Sequence, residues 1–124
     1  MGISRREILT AMGAMAISSA SAQGTDAMYG LIVKVKAVSG QRDALISVLL
    51  KGTGEMPGCI SYIIAKDSSE EDTIWVTEIW DSKASHDASI SLPAVQESMA
   101  KGKPLIAVFG PAISTKPVGG HGLK

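Results

Sequence analysis

Residues 56–80, MPGCISYIIAKDSSEEDTIWVTEIW, constrain the fold more than any other part of this chain. Residues 59–65 and 73–80 are rich in Ile, Val, Thr and aromatic side chains, which suit a pleated, half-buried surface. Between them lies KDSSEED, a polar, mostly acidic turn. Two apolar runs joined in this way predict an antiparallel hairpin. Pro57-Gly58 punctuates its start, and Asp81 or Ser82, just after Trp80, can cap a following helix.

The flanking segments extend this pattern. Residues 28–38, MYGLIVKVKAV, place Tyr29, Leu31, Val33 and Val35 on one side and Lys34 and Lys36 on the other. That alternation predicts a half-buried strand, broken by Ser39-Gly40. Residues 41–50 carry apolar side chains at 45, 46, 48, 49 and 50, a helix with one broad apolar face. Gly52 and Gly54 end it. After the hairpin, a helix is expected over about 83–90. Pro93 marks a break or a fresh start, and 94–101 continue helically with Val95 and Met99 one turn apart. Gly102 and Pro104 stop it, and 105–109 and 112–115 read as short and extended. The order β-α-β-β-α-β predicts an α+β, ferredoxin-like split βαβ topology. Two helices cover one sheet face, and no chain is left for the other. A second copy packed sheet to sheet is the simplest cover, giving a homodimer, a dimeric α/β barrel.

The first 22 residues read differently. Ser4-Arg5-Arg6-Glu7-Ile8-Leu9 opens the chain, a modest apolar run follows to Ile17, and Ala20-Ser21-Ala22 resembles an export cleavage site. The paired arginines resemble a twin-arginine signal, although Ile8 and Thr10 stand where Phe and Lys are usual. The alternative is an ordinary amphipathic helix. The expectation is Tat export, cleavage near Ala22 and a periplasmic or secreted protein. The apolar run is too short for a stable membrane span, which needs about 20 residues. The expected organisation is a signal over 1–22, a lead-in over 23–27, the domain over 28–115 and a Gly-rich tail over 116–124. Lys plus Arg and Asp plus Glu number 12 each, so the whole chain is neutral. No basic block interleaved with aromatics occurs, so nucleic acid is a poor partner. One Cys and two distant His, His86 and His121, argue against an internal disulfide or a metal cage. No P-loop, dinucleotide fingerprint or nucleophile elbow occurs.

The P-G-C-x-x-Y opening, the hairpin and the E-x-W ending together resemble the antibiotic biosynthesis monooxygenase (ABM) domain family, also called quinol monooxygenase-like. The resemblance covers about 28–109. It implies a dimeric α+β barrel with an apolar cavity, a small aromatic substrate such as a quinol or polyphenol, and O2. It also implies that no flavin, metal or nicotinamide cofactor is required. Electron-rich phenols react with oxygen once ionised, so the protein need only hold and deprotonate them away from water. The barrel is shared with haem-degrading enzymes, but His86 is not where their iron ligand is expected. The alternative to an enzyme is a non-catalytic barrel that binds an aromatic ligand or a partner protein.

Several residues are candidates for the chemistry. The resemblance implies that Trp80 lines or borders the cavity, and a Trp at a strand end also packs. Glu78 lies two residues earlier, on the same sheet face. If that face is buried, its carboxylate handles protons; the blander expectation, that this face is solvated, is slightly preferred. His86 is the best-placed base near neutral pH, or a solvated surface histidine. Many family members carry histidines where this chain has Ser89 and Ala94, and Ser89 can share a helix face with His86. Tyr62 can donate a hydrogen bond to a substrate, and strict alternation puts it opposite Cys59, a small buried side chain. Met28, Met99 and Phe109 are apolar and can line a pocket, or pack in the core. The tail around His121 is either loose or laid over a pocket.

Overall fold

Alternation along residues 29–37 sets up the first strand, β1 (Tyr29–Ala37), with Leu31, Val33, Val35 and Ala37 buried. The structure, a computed structural model, describes residues 27–123. The expected export signal and its cleavage site lie outside the described residues. After β1 come α1 (Arg42–Gly52), β2 (Cys59–Lys66), β3 (Thr73–Trp80), α2 (Lys83–Ser89), α3 (Pro93–Gly102) and β4 (Ile106–Thr115). A 3-10 turn, Lys103–Leu105, leads into β4. The strands form one antiparallel sheet in the order β2-β3-β1-β4. This is the expected α+β ferredoxin-like arrangement. The sheet is open, with β2 and β4 at its edges.

The helices cover one face. Leu31, Val33, Val35, Ile74 and Val76 project from the two central strands and meet Leu45 of α1. Ser98 of α3 donates a 2.6 Å hydrogen bond to the Val48 carbonyl of α1, and a side chain at Gly52 would collide with Ser98. The two helices therefore pack at a small-residue contact. Pro93 sits in the first turn of α3, where its missing N–H has no helical partner to lose. The break at Pro93 is thus a fresh helix start.

The β2–β3 turn is held by Asp67. Its Oδ1 accepts from the backbone N–H of Ser69 (2.8 Å) and Glu70 (2.7 Å), and its Oδ2 accepts from Trp75 Nε1 at 2.7 Å. These donors hold the carboxyl down at about 2, with the Glu70 N–H contributing most. Arg42 adds hydrogen bonds to the carbonyls of Asp67, Glu70 and Thr73, tying the turn to the start of α1.

Two details differ from strict alternation. The β2–β3 register shifts between Cys59 and Ser61, so Cys59 pairs with Trp80 and Tyr62 with Glu78. A bulge with one extra residue returns the chain to the same face. Cys59 and Tyr62 therefore share the helix-covered face, instead of lying on opposite faces. At the other edge, the two short extended pieces are one strand. Its register with β1 shifts around Gly110-Pro111, because proline lacks the N–H a ladder needs. Gly110 also passes so close to the Lys34 carbonyl that a Cβ would lie 2.6 Å from it.

The opposite sheet face is uncovered. Ile63, Val108 and Ile113 are each more than half exposed, with Ile32, Trp75 and Ile79 partly buried among them. No helix among the described residues is long and apolar enough to cross a membrane.

Candidate active site

Where β3 ends and α2 begins, Glu78, Trp80 and His86 come together. Trp80 is the last residue of β3 and is fully buried. Glu78 lies on the same face and is also buried, contrary to the slightly preferred expectation of a solvated position. The reason is register: Leu31 and Tyr62 are its cross-strand neighbours, both on the helix-covered face. A buried carboxylate needs a partner, and Trp80 Nε1 donates to Glu78 Oε1 at 2.9 Å. Burial nevertheless pushes the Glu78 carboxyl up, against the downward pull of the indole donor and of His86. Among the described residues no donor reaches Oε2, so this oxygen is free to accept a proton.

α2 carries His86 to this carboxylate. Ser82 caps the helix, its Oγ accepting from the Ser85 N–H at 3.1 Å. Gly58, just before β2, packs against that cap; it has φ +84° and lies against Ser85 and Asp81. The Asp81 N–H donates to the Gly58 carbonyl at 2.9 Å. Only glycine adopts this backbone readily with a neighbour so close. His86 Nε2 then lies 3.9 Å from Glu78 Oε1. Its ring sits edge-on to Trp80, with centroids 5.5 Å apart, and is tilted against Tyr29 at 5.3 Å. Its Nδ1 lies 3.1 Å from Asp87 Oδ1.

Beside this cluster opens a cavity of about 770 Å³. Its walls are the 53–57 turn, the start of β2 with Cys59 and Tyr62, and Leu92. Glu55 is the charged residue among the described lining, and no Lys or Arg joins it. Glu78, Trp80 and His86 do not line this cavity themselves. They stand behind Cys59 and Tyr62, whose pKa values are both raised, by burial first and then by the Glu78 charge. The two side chains thus separate the cavity from the buried carboxylate.

The other expected residues fall elsewhere. The Ser89 hydroxyl is buried and donates to the His86 carbonyl at 2.6 Å, so it is occupied within the helix. Met99 on α3 and Phe109 on β4 are more than half exposed, and neither lines the cavity. Met99 points away because α3 turns Ser98 and Gly102 toward the core. Phe109 sits on an edge strand that the helices do not cover. Sequence reasoning missed Tyr29 and Asp87 as neighbours of His86. Their only signals were Tyr29's place in the buried stripe of β1 and Asp87's adjacency to His86. Among the described residues no three His, Cys, Asp or Glu side chains converge to hold a metal.

Comparison with known proteins agrees with this fold. The sequence profile described as antibiotic biosynthesis monooxygenase matches residues 28–101. The chain resembles the crystal structure of a candidate antibiotic biosynthesis monooxygenase from Chloroflexus aurantiacus J-10-fl, with 56% identity and a TM-score of 0.76. That match covers 78% of this chain and 99% of the other. A candidate of the same kind from Caulobacter crescentus CB15 shares the fold at 19% identity and TM-score 0.69, covering 76% and 92% of the two chains. One from Nitrosomonas europaea does so at 13% identity and TM-score 0.66, covering 78% and 94%. No curated protein matches the sequence. With more than half its length matched by the family profile, and with the four-stranded sheet and helices of these relatives, the chain belongs to the antibiotic biosynthesis monooxygenase family.

Proposed function

We propose that this protein is a cofactor-independent monooxygenase that oxidises a quinol or polyphenol with O2. The overall reaction balances without an added reductant. A hydroquinone and O2 give a hydroxyquinone and water; one oxygen atom enters the ring, the other leaves as water, and the electrons come from the substrate. The slow part is ionising the phenol, because the quinolate transfers an electron to oxygen far more readily. A general base near the substrate contributes roughly 10²–10⁴-fold to such a step.

The observation that carries this reading is the buried Glu78, held by Trp80 Nε1 at 2.9 Å and faced by His86 Nε2 at 3.9 Å. A carboxylate whose pKa is raised by burial is a stronger base than an exposed one. In the proposed mechanism the substrate ring occupies the cavity beside Tyr62 and Cys59. The Tyr62 hydroxyl orients it, and Tyr62 and Cys59 move aside so that the substrate's phenolic proton passes to Glu78. Trp80 fixes the carboxylate.

The active form in this reading is a homodimer. Ile63, Val108 and Ile113 form an exposed apolar face that a second sheet would cover. The Arg5-Arg6 segment supports export by the Tat machinery to the periplasm or beyond, with cleavage near Ala22. A second reading is a binding module for a small aromatic ligand. It is favoured by one fact: Glu78 and His86 lie behind the cavity wall instead of forming it.

Oxygen uptake by residues 23–124 with a panel of hydroquinones, corrected for autoxidation and with no cofactor added, tests the proposal. Saturable uptake proportional to protein supports it. Tight binding of a panel member with uptake no faster than the blank replaces it with the binding module.

A further inference from the structure

We propose that Asp87 is a positioning residue that fixes the tautomer of His86, making Glu78–His86–Asp87 an outward path for the proton taken from substrate. The inference rests on the reading of Glu78 as the proton acceptor, but its geometry stands apart from any substrate.

The three side chains form a gradient from core to solvent. Side-chain exposure rises from 11% for Glu78 to 19% for His86 and 53% for Asp87. His86 bridges the other two with its opposite ring nitrogens. Nε2 faces Glu78 Oε1 at 3.9 Å, and Nδ1 faces Asp87 Oδ1 at 3.1 Å. An ionised carboxylate can only accept, so a hydrogen bond at Nδ1 requires the proton there. In the neutral ring this leaves Nε2 with its lone pair toward Glu78.

Asp87 is held in the ionised form by its surroundings. Lys83 Nζ lies 2.8 Å from its Oδ2, one helical turn back, and together with His86 this keeps the carboxyl low. The other ionisable groups around the ring are Tyr29 from β1 and Glu78 from β3, with Tyr62 and Cys59 of β2 beyond Glu78. None of these offers Nδ1 a competing acceptor among the described hydrogen bonds. Glu78 Oε1 faces Nε2 from 3.9 Å, beyond hydrogen-bond length, so the nearer acceptor, Asp87 at 3.1 Å from Nδ1, sets the tautomer.

The transfer is one of protons only. Glu78 becomes a neutral carboxyl when it takes the phenolic proton. It then passes a proton to His86 Nε2, giving an imidazolium stabilised by Asp87. The imidazolium then gives one proton to solvent, from Nε2 or from Nδ1 with the ring returning its remaining proton to Nδ1 beside Asp87, and Glu78 is restored as a carboxylate. The gap of 3.9 Å closes to hydrogen-bond length by about 1 Å of side-chain movement or through one water. The proton released is matched by one that the departing oxygen takes from solvent as it becomes water, so the overall reaction still releases none.

The test is nitrogen NMR of ¹⁵N-histidine-labelled protein, without substrate. The chain has two histidines, and a His121→Asn variant assigns the signals. Wild type is expected to show His86 with Nδ1 protonated and Nε2 bare. In Asp87→Ala the ring is expected to shift toward the Nε2-protonated form usual in water. Asp87→Asn, whose amide oxygen still accepts, should restore the wild-type pattern. Lys83→Ala, which loses the same surface ion pair, should leave it unchanged. Nε2 protonated in wild type, or no change in Asp87→Ala, overturns the proposal. If hydroquinone oxidation is found, Asp87→Ala should lower kcat at least several-fold with KM unchanged; an unchanged kcat overturns the outward path. The expected tautomers together with no oxygen uptake would leave the positioning role intact and remove the oxygenase reading.

Discussion

Replacing Trp80 by Phe keeps an aromatic ring in the buried site and removes the donor 2.9 Å from Glu78 Oε1. A hydrogen bond to a charged acceptor contributes about 1.5–3 kcal/mol, and one to a neutral acceptor about 0.5–1.5 kcal/mol. The smaller ring also leaves roughly 1 kcal/mol of apolar burial unmade. The expected loss is therefore about 3 kcal/mol where Glu78 is ionised and about 2 kcal/mol where it is protonated. The direction follows from proton linkage. Burial raises the folded-state pKa of Glu78 above its unfolded value, and the indole N–H partly opposes that rise. A raised carboxyl pKa means the folded protein holds the proton longer, so stability falls as pH rises through that window. Without the N–H the pKa rises further and the fall is steeper. Urea unfolding followed by far-ultraviolet circular dichroism, at about pH 4 and about pH 8 and one protein concentration, measures both losses. An equal loss at the two pH values, or a total below about 0.5 kcal/mol, would refute the assigned hydrogen bond.

Three further expectations follow from particular contacts. Glu78→Gln removes the titrating group, so the decline in stability between about pH 4 and about pH 8 should shrink in denaturant curves, while oxygen uptake is lost. Gly58→Ala should cost about 1–3 kcal/mol, because φ is +84° and the added Cβ meets Ser85; thermal unfolding checks this, and a neutral result contradicts the turn geometry. Ile63→Lys with Ile113→Lys should convert the proposed homodimer to monomer by sedimentation velocity, and a dimer that survives both changes would place its contact elsewhere.

Much of the fold was legible because it depends on periodicity. The buried stripe Leu31, Val33, Val35 on β1 follows from alternation and the span of β3 from its β-branched and aromatic content, while the cap of α2, open between Asp81 and Ser82 in the sequence, falls on Ser82. The departures arise where local pattern meets tertiary register. A bulge near Ile60 carries no residue signature, yet it places Cys59 on the face of Tyr62. Glu78 sits in a stretch whose two faces are both substantially apolar, so alternation alone did not say which face was buried. Pairing with Leu31 and Tyr62 decided it. Helix orientation was equally hidden: α2 aims His86 at Trp80, while α3 turns Met99 outward. Asp87 drew no notice because an exposed acid on a helix is ordinary until its neighbour's ring is placed.

The central claim is that the chain inserts one atom of O2 into a hydroquinone with no cofactor. Turnover under ¹⁸O2, with mass analysis of the product and comparison with Glu78→Gln, tests it most directly. The account predicts one labelled oxygen atom in the hydroxyquinone formed by wild type, at a rate far above the blank, and a rate near the blank for Glu78→Gln. Unlabelled quinone as the sole product, or the same labelled yield from both proteins, would contradict it.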